Sequence, residues 1–234
     1  MTQHAMSPGT RARVVNVWWV GLDVPLEKEA ADQRLLSADE RTQADRLAPA
    51  ERRRFIVSHA ALRSILGHHL GRPPADLRFE ATPAGKPSLV DAPLCFTLSH
   101  SWDWAIVAIA DRAVGIDLER IAPVPELDAL MSRFLSSRER ACLAALPADE
   151  RLIAFHHCWC GKEAYLKALG CGLSMDPACF SVAVAPAAPA LLDSPLGEDE
   201  CRRWRLIRLA APRRYAAALA VEGPLPSIAE SAWI

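Results

Sequence analysis

Two stretches of helical periodicity, Pro49–Leu70 and Asp149–Leu169, are nearly equal in length and sit at matching places in the two halves of the chain. In the first, Phe55, Ile56, His59, Leu62, Ile65, Leu66 and Leu70 recur at helical spacing; Pro49 occupies an early position that tolerates proline, and Gly71 closes the helix. Gly170-Cys171-Gly172 ends the second. Ahead of the first lie a strand candidate, Val14–Val20, and two short helical segments, Leu26–Leu36 and Ala38–Leu47. Ser37 and Glu40 form a capping-box pattern at the start of the latter. Strands at Leu77–Glu80, Leu94–Leu98 and Trp104–Ala110 follow, with a turn at Thr82–Pro87 that carries Lys86 at its tip. The second half repeats this order: a strand at Val114–Arg120, short helices at Leu127–Phe134 and Ser137–Leu146, the long helix, then strands at Phe180–Val184, Trp204–Leu209 and Tyr215–Val221. Pro186–Glu200 reads as a loop and Met1–Ala12 as a loose tail. The halves do not match residue for residue, so the repetition is architectural. It predicts an α+β protein of two similar lobes, residues 1–112 and 113–234, each with a long helix on a small antiparallel sheet and with a cleft between them.

Bulk properties narrow the function. At 234 residues the chain can bury a substantial core, and its formal charge of −1 gives no sign of nucleic-acid binding. No charged-then-apolar leader opens the sequence and no apolar run approaches the ~18 residues of a membrane span, so a cytoplasmic protein without membrane association is expected. The seven cysteines are odd in number and include no CxxC pair, which predicts free thiols. His156-His157-Cys158-Trp159-Cys160 resembles a metal motif, but on a helix Cys158 and Cys160 point about 200° apart, which argues against zinc.

The chemistry concentrates around Val114–Arg120. Val114, Ile116 and Leu118 alternate with Gly115, Asp117 and Glu119, so a strand here directs both carboxylates to one face. Their side chains start about 7 Å apart, where two negative charges repel by roughly 0.6 kcal/mol in water and roughly 2.4 kcal/mol at an effective dielectric near 20. On an exposed face the pair is harmless; in a cleft it needs a cation. On the second long helix, Trp159, Glu163 and Lys167 fall at i, i+4 and i+8 and share a stripe. A Glu/Lys pair alone reads as a surface ion pair, but the tryptophan on the same stripe predicts that it turns inward. If that helix packs beside the strand, Glu163 joins Asp117 and Glu119 in an all-oxygen set suited to a hard divalent ion, with Lys167 facing a phosphate. Ser99-His100-Ser101 is placed at a strand end and turn, where hydroxyl and imidazole suit a phosphate oxygen better than nucleophilic catalysis, because no GxSxG elbow exists. Lys86, beside Gly85, suits the same ligand.

Four motifs occur in order: Gly85-Lys86-Pro87, Phe96-Thr97-Leu98-Ser99-His100-Ser101, Gly115-Ile116-Asp117-Leu118-Glu119 and Trp159-Cys160-Gly161-Lys162-Glu163-Ala164-Tyr165-Leu166-Lys167. Together they resemble the signature motifs of the 4′-phosphopantetheinyl transferases, specifically the larger monomeric, surfactin-synthetase-activating type. The resemblance implies a monomeric pseudo-dimer that binds coenzyme A between its lobes. The implied reaction is Mg2+-dependent transfer (Mn2+ being the alternative) of the 4′-phosphopantetheine arm to a serine of an apo acyl or peptidyl carrier protein, with release of adenosine 3′,5′-bisphosphate. It implies Asp117, Glu119 and Glu163 as metal ligands, Glu163 and Lys167 as the catalytic base and the cation at the attacked phosphate, and Lys86, Ser99, His100, Arg63, Ser64 and Arg53 as coenzyme A contacts. Which of Arg41, Arg46, Arg53 and Arg54 meets the 3′-phosphate stays open. Thr97 stands where asparagine is common in the family. Polyketide, nonribosomal-peptide or fatty-acid synthesis is the implied setting. The rivals are a coenzyme A pyrophosphatase and a non-enzymatic coenzyme A binder. Leu127, Leu130, Met131 and Phe134 are offered either to the core or to a docking carrier protein.

Overall fold

The computed structural model describes residues 14–233 apart from 84, 91 and 93, so the N-terminal tail and one residue of the Thr82–Pro87 turn lie outside the described residues. Strand β1 (Val14–Gly21) leads into helices α1 (Leu26–Gln33) and α2 (Ala38–Ala44), then the long helix α3 (Pro49–Leu70). Ser37 and Glu40 form both halves of the capping box that starts α2, and Gly71 ends α3 in the left-handed conformation. A hairpin of β2 (Phe79–Ala81) and β3 (Pro87–Leu89) follows, then β4 (Cys95–Ser101) and β5 (Trp104–Ala110). The second half opens with β6 (Val114–Arg120), continues through α4 (Leu127–Phe134) and α5 (Ser137–Ala144), and reaches the long helix α6 (Ala148–Leu169). Strands β7 (Ser181–Val182) and β8 (Leu191–Asp193), helix α7 (Glu198–Arg203), and strands β9 (Trp204–Arg208), β10 (Tyr215–Glu222) and β11 (Ser227–Trp233) complete it.

The repeat predicted from sequence is visible in the sheets. One runs β11-β1-β5-β4 and the other β6-β10-β9. In each, the opening strand of its half pairs antiparallel with a late strand, which pairs antiparallel with its hairpin partner. Strand β11 is the exception: it crosses back and adds to the first sheet, parallel to β1.

The strand alternation explains the layering. Val114, Ile116 and Leu118 join Val15, Val17, Ile106, Ala108, Ala217 and Leu219 in a core between the two sheets. The opposite face of the first sheet packs on α3 through Val57, Leu62, Ile65 and Leu66, and that of the second on α6 through Ala164, Tyr165 and Ala168. The architecture is thus α+β, with two helix-backed sheets joined face to face. All seven cysteines are free. Among the described residues no helix is long and apolar enough to cross a membrane.

Gly115 faces α6 and sets how closely the helix approaches. A Cβ there would lie 2.0 Å from the Ala164 carbonyl oxygen and 2.3 Å from the Ala168 nitrogen, both backbone atoms that no rotamer change can clear. Gly115→Ala should therefore push α6 off β6 and destabilise the protein by about 1–3 kcal/mol, measured by denaturant unfolding. A variant as stable as the parent would show that the helix can shift freely.

Candidate active site

Because α6 lies against β6, Glu163 and Lys167 stand beside Asp117. Lys167 Nζ donates to Asp117 Oδ1 at 2.6 Å and to Ser99 Oγ at 2.9 Å. Burial opposes the charge on Lys167, but Asp117, Glu163 and Glu119 outweigh it and raise its pKa. Burial, then the nearby Asp117 charge, raises the pKa of Glu163. The same two causes push Glu119 up to about 7, against hydrogen bonds from Ser101 and Trp159. The stripe Trp159–Glu163–Lys167 does turn inward: its members are half-buried, and Trp159 packs edge-on against Phe134 at 5.1 Å between ring centroids.

The two sheets meet at β4 and β6 without ladder hydrogen bonds. Serine hydroxyls stitch the edges instead. Ser99 Oγ accepts from the Leu118 amide and donates to Asp117 Oδ1 at 2.9 Å; Ser101 Oγ accepts from the Arg120 amide and donates to Glu119 Oε2 at 3.1 Å. Two hydroxyls at i and i+2 of one strand thus aim two carboxylates at i and i+2 of the other. This corrects the expected placement of Ser99-His100-Ser101 in a turn. Strand β4 runs through Ser101, and only Trp102 and Asp103 form the connection.

A cleft of about 550 Å³ opens beside this cluster, with walls that include Leu62, Phe79, Phe96, Leu98 and Leu166 and polar groups from Lys86, His100, Glu163 and Lys167. Lys86 Nζ donates to the Val114 carbonyl at 3.0 Å and to the Ala168 carbonyl at 3.4 Å, tying its turn to β6 and the end of α6. Burial lowers its pKa. The His100 pKa is lowered by burial and by the cations Lys167 and Arg54.

Other expected contacts are spent elsewhere. Ser99 does not line the cleft but orients Asp117. Arg63 is 2% exposed: Nε donates to Glu40 at 2.7 Å and Nη1 donates to the Pro74 and Leu77 carbonyls. Arg53 is held by the Val24 carbonyl and by Asp23 and Glu29, and Arg41 by the Leu36 carbonyl. Neither Arg63, Ser64 nor Arg53 is brought to the cleft wall. The wall instead includes Glu40, Gln43 and His59. Burial pushes His59 down to about 4, so the ring is neutral; its Nδ1–H donates to the Phe55 carbonyl at 3.0 Å, which leaves Nε2 as an acceptor. In sequence His59 was one more position on the apolar stripe of a helix, with nothing to mark it.

Among the described residues no three His, Cys, Asp or Glu side chains already stand as a metal cage. The donor set nonetheless fits a hard cation. Asp117 Oδ2 is buried with no hydrogen-bond partner, and Glu119 and Glu163 beside it are destabilised as anions.

This geometry can be set against known proteins. A profile of the 4′-phosphopantetheinyl transferase superfamily matches residues 113–220. The 4′-phosphopantetheinyl transferase HetI of Nostoc sp. is 37% identical over 215 residues, covering 89% of this chain and 88% of that protein. The chain belongs to the 4′-phosphopantetheinyl transferases. The enzyme named psf-1 of Bacillus pumilus is 33% identical over 187 residues, covering 76% and 78%, and Sfp of Bacillus subtilis is 29% identical over 191 residues, covering 80% and 84%. The protein is thus a transferase of the Sfp type. Among solved structures, a Thermotoga maritima holo-[acyl-carrier-protein] synthase matches 47% of this chain and 62% of its own at 25% identity with a TM-score of 0.37; the architecture of this transferase rests on its own strand orders.

Proposed function

We propose that this transferase moves the 4′-phosphopantetheine arm of coenzyme A to a serine of an apo acyl or peptidyl carrier protein and releases adenosine 3′,5′-bisphosphate. The observation that carries this reading is the meeting of Asp117, Glu119, Glu163 and Lys167 at the edge of a cleft that Lys86 and His100 also line.

In this reading residues 1–112 supply the nucleotide side and residues 113–234 the metal and catalytic side, with β11 buttressing the first sheet. Asp117, Glu119 and Glu163 would hold Mg2+, or Mn2+ in its place, which when bound supplies charge neutralisation for the pyrophosphate. Lys86 has one Nζ hydrogen beyond its two carbonyl contacts to offer a phosphate. His100 serves the same ligand, and Ser99 acts on it through Asp117 and Lys167. Arg63 shapes the nucleotide side by holding Glu40 in the cleft wall. Glu163, whose raised pKa suits a proton acceptor, takes the proton of the incoming serine hydroxyl. The serine oxygen bonds to the phosphorus bearing the pantetheine arm, and the bond from that phosphorus to the bridging oxygen breaks. Lys167 offsets charge on the attacked phosphate. The enzyme works as a cytoplasmic monomer, with no nucleic-acid or membrane partner, in polyketide, nonribosomal-peptide or fatty-acid synthesis.

Intact-mass analysis of a panel of apo-carrier proteins, incubated with the protein, coenzyme A and Mg2+, tests this. The expected result is a mass gain of one phosphopantetheine on the carrier, with bisphosphate release that requires the carrier. Bisphosphate release without a carrier would replace transfer by hydrolysis.

A further inference from the structure

One device occurs in both halves of the chain at the same sequence spacing, and only the second copy is closed. A capping serine, the glutamate of its capping box and a buried cation on the following long helix are Ser136, Glu139 and Lys162 in the second half. In the first half they are Ser37, Glu40 and Arg63. Both oxygens of Glu139 are occupied: Lys162 donates to each, the Ser136 amide donates to Oε2 and the Val182 amide to Oε1. In the first copy the Ser37 amide and Arg63 Nε both donate to Glu40 Oε2. Glu40 Oε1 accepts no hydrogen bond among the described residues. Glu40 is 15% exposed where Glu139 is fully buried, and it lines the cleft. A carboxylate oxygen without a donor on a cleft wall suits a hydroxyl or an amine of the ligand.

The neighbours of Glu40 on that wall share its preference. His59 is neutral, with Nε2 left as an acceptor, and is close enough to Glu40 for the carboxylate to oppose the fall in its pKa. Gln43 stands about one turn further along α2 and also lines the cleft. None of the three is a cation. The arginines of α2 and α3 that could bring positive charge here are engaged with the protein: Arg63 in the device itself, Arg53 with the Val24 carbonyl, Asp23 and Glu29, and Arg41 with the Leu36 carbonyl. Lys86, bound to carbonyls of β6 and α6, and Arg54, near His100, go with Lys167 to the pyrophosphate, which the donor carries in any form. A phosphate monoester offers negative charge and acceptors, which Glu40 and His59 oppose. A ribose hydroxyl brings the donor that Oε1 lacks. The same choice divides dinucleotide sites, where a carboxylate takes the bare ribose hydroxyl and an arginine takes the ribose phosphate.

We propose that the nucleotide side of this cleft takes a ribose with a free 3′-hydroxyl, held by Glu40 Oε1, so that 3′-dephospho-coenzyme A serves as a donor alongside coenzyme A. This rests on the transfer function proposed above. The chemistry is unchanged. The serine oxygen bonds to the phosphorus bearing the pantetheine arm, its proton passes to Glu163, and the bond from that phosphorus to the bridging oxygen breaks. Adenosine 5′-monophosphate then leaves in place of the bisphosphate. The test is the rate of loading of an apo-carrier protein from each donor, read by intact mass. Wild-type kcat/KM for the dephospho form should lie within about tenfold of that for coenzyme A, where a site built on a charged contact to the 3′-phosphate would lose more. Gln43→Lys, on an exposed position of α2, should lower the KM for coenzyme A by roughly fivefold and leave that for the dephospho form unchanged. Glu40→Gln should move the two KM values in opposite directions, up for the dephospho form and down for coenzyme A, which a loss of packing would not do. A wild-type preference for coenzyme A beyond tenfold would overturn the inference, as would KM values that shift together in both variants. Loading from coenzyme A alone would leave the transfer function standing without it; loading from neither donor would remove both.

Discussion

Asp117→Asn should lower phosphopantetheine transfer at least about a thousandfold while the protein stays folded. Asparagine keeps the volume and can still accept from Ser99, so the stitch between β4 and β6 survives. Lys167 loses its nearest anion but is 31% exposed and can turn to water. What disappears is the charge that makes the cluster a cation site, and with it the buried oxygen that has no protein partner. The fold is checked by thermal unfolding and the metal by calorimetric titration of Mg2+ in the absence of coenzyme A. The parent should bind and the variant should not. The titration should also depend on pH. Glu119 must lose its proton to ligate, and its pKa stands at about 7. Below that pH the affinity should fall by about tenfold per unit as the ion competes with one proton, and above it the dependence should level off. A fully active Asp117→Asn enzyme would remove the metal assignment; an affinity that does not change between pH 5 and 8 would remove Glu119 from the ligand set.

Much of this site could be read in the sequence because its parts obey local periodicities. Alternation put Asp117 and Glu119 on one face of β6, and the i, i+4, i+8 spacing put Trp159, Glu163 and Lys167 on one stripe. Both are consequences of backbone geometry alone. The approach of the two elements was only conditional in sequence. It depends on Gly115, whose missing side chain admits the α6 backbone, and a glycine in a strand has several uses. Pairings across large separations left still less trace. The short segment Ser227–Trp233 has weak strand character, and nothing local announces that it runs parallel to β1 at the far end of the chain. Strand β8 and helix α7 were hidden in a stretch rich in Ala, Pro and acids that reads as loop. The arginines were the least legible. The resemblance implied Arg63 as a coenzyme A contact, and no local pattern showed that its guanidinium donates to Glu40 and to the Pro74 and Leu77 carbonyls.

Lys162 is the strongest case of a residue whose task no local pattern shows, and replacing it should be the most destabilising single change near the site. It lies in the same motif as Glu163 but points about 100° away around the helix. There it is fully buried with Glu139, also fully buried. Lys162 Nζ donates at 2.7 Å to both Glu139 oxygens and to the Phe180 carbonyl, and rests 4.2 Å from the Phe180 ring centroid. Glu139 in turn accepts the Ser136 amide, closing the capping box of α5, and the Val182 amide of β7. One carboxylate thus joins α5, α6 and β7. Lys162→Met leaves that carboxylate buried against a thioether, which should cost about 3–5 kcal/mol, a large part of the ~5–15 kcal/mol that holds a domain together. At ~2–4 °C per kcal/mol for a chain of this size, the midpoint should fall by roughly 6–20 °C. Removing the charge as well, in Lys162→Met/Glu139→Gln, should recover at least half of the loss, because burying an ion pair is expensive in the first place and its apolar replacement is often neutral. The comparison separates the cost of an orphaned charge from the value of the pair: equal losses in the single and double variants would mean that the three elements depend on the hydrogen bonds of Glu139 rather than on its charge. The pair also bears on catalysis, since the rotation of α6 that seats Lys162 on Glu139 is the rotation that turns Glu163 and Lys167 toward Asp117. The double variant, refolded and stable, should therefore keep its coenzyme A KM and lose kcat in proportion to how far that rotation relaxes.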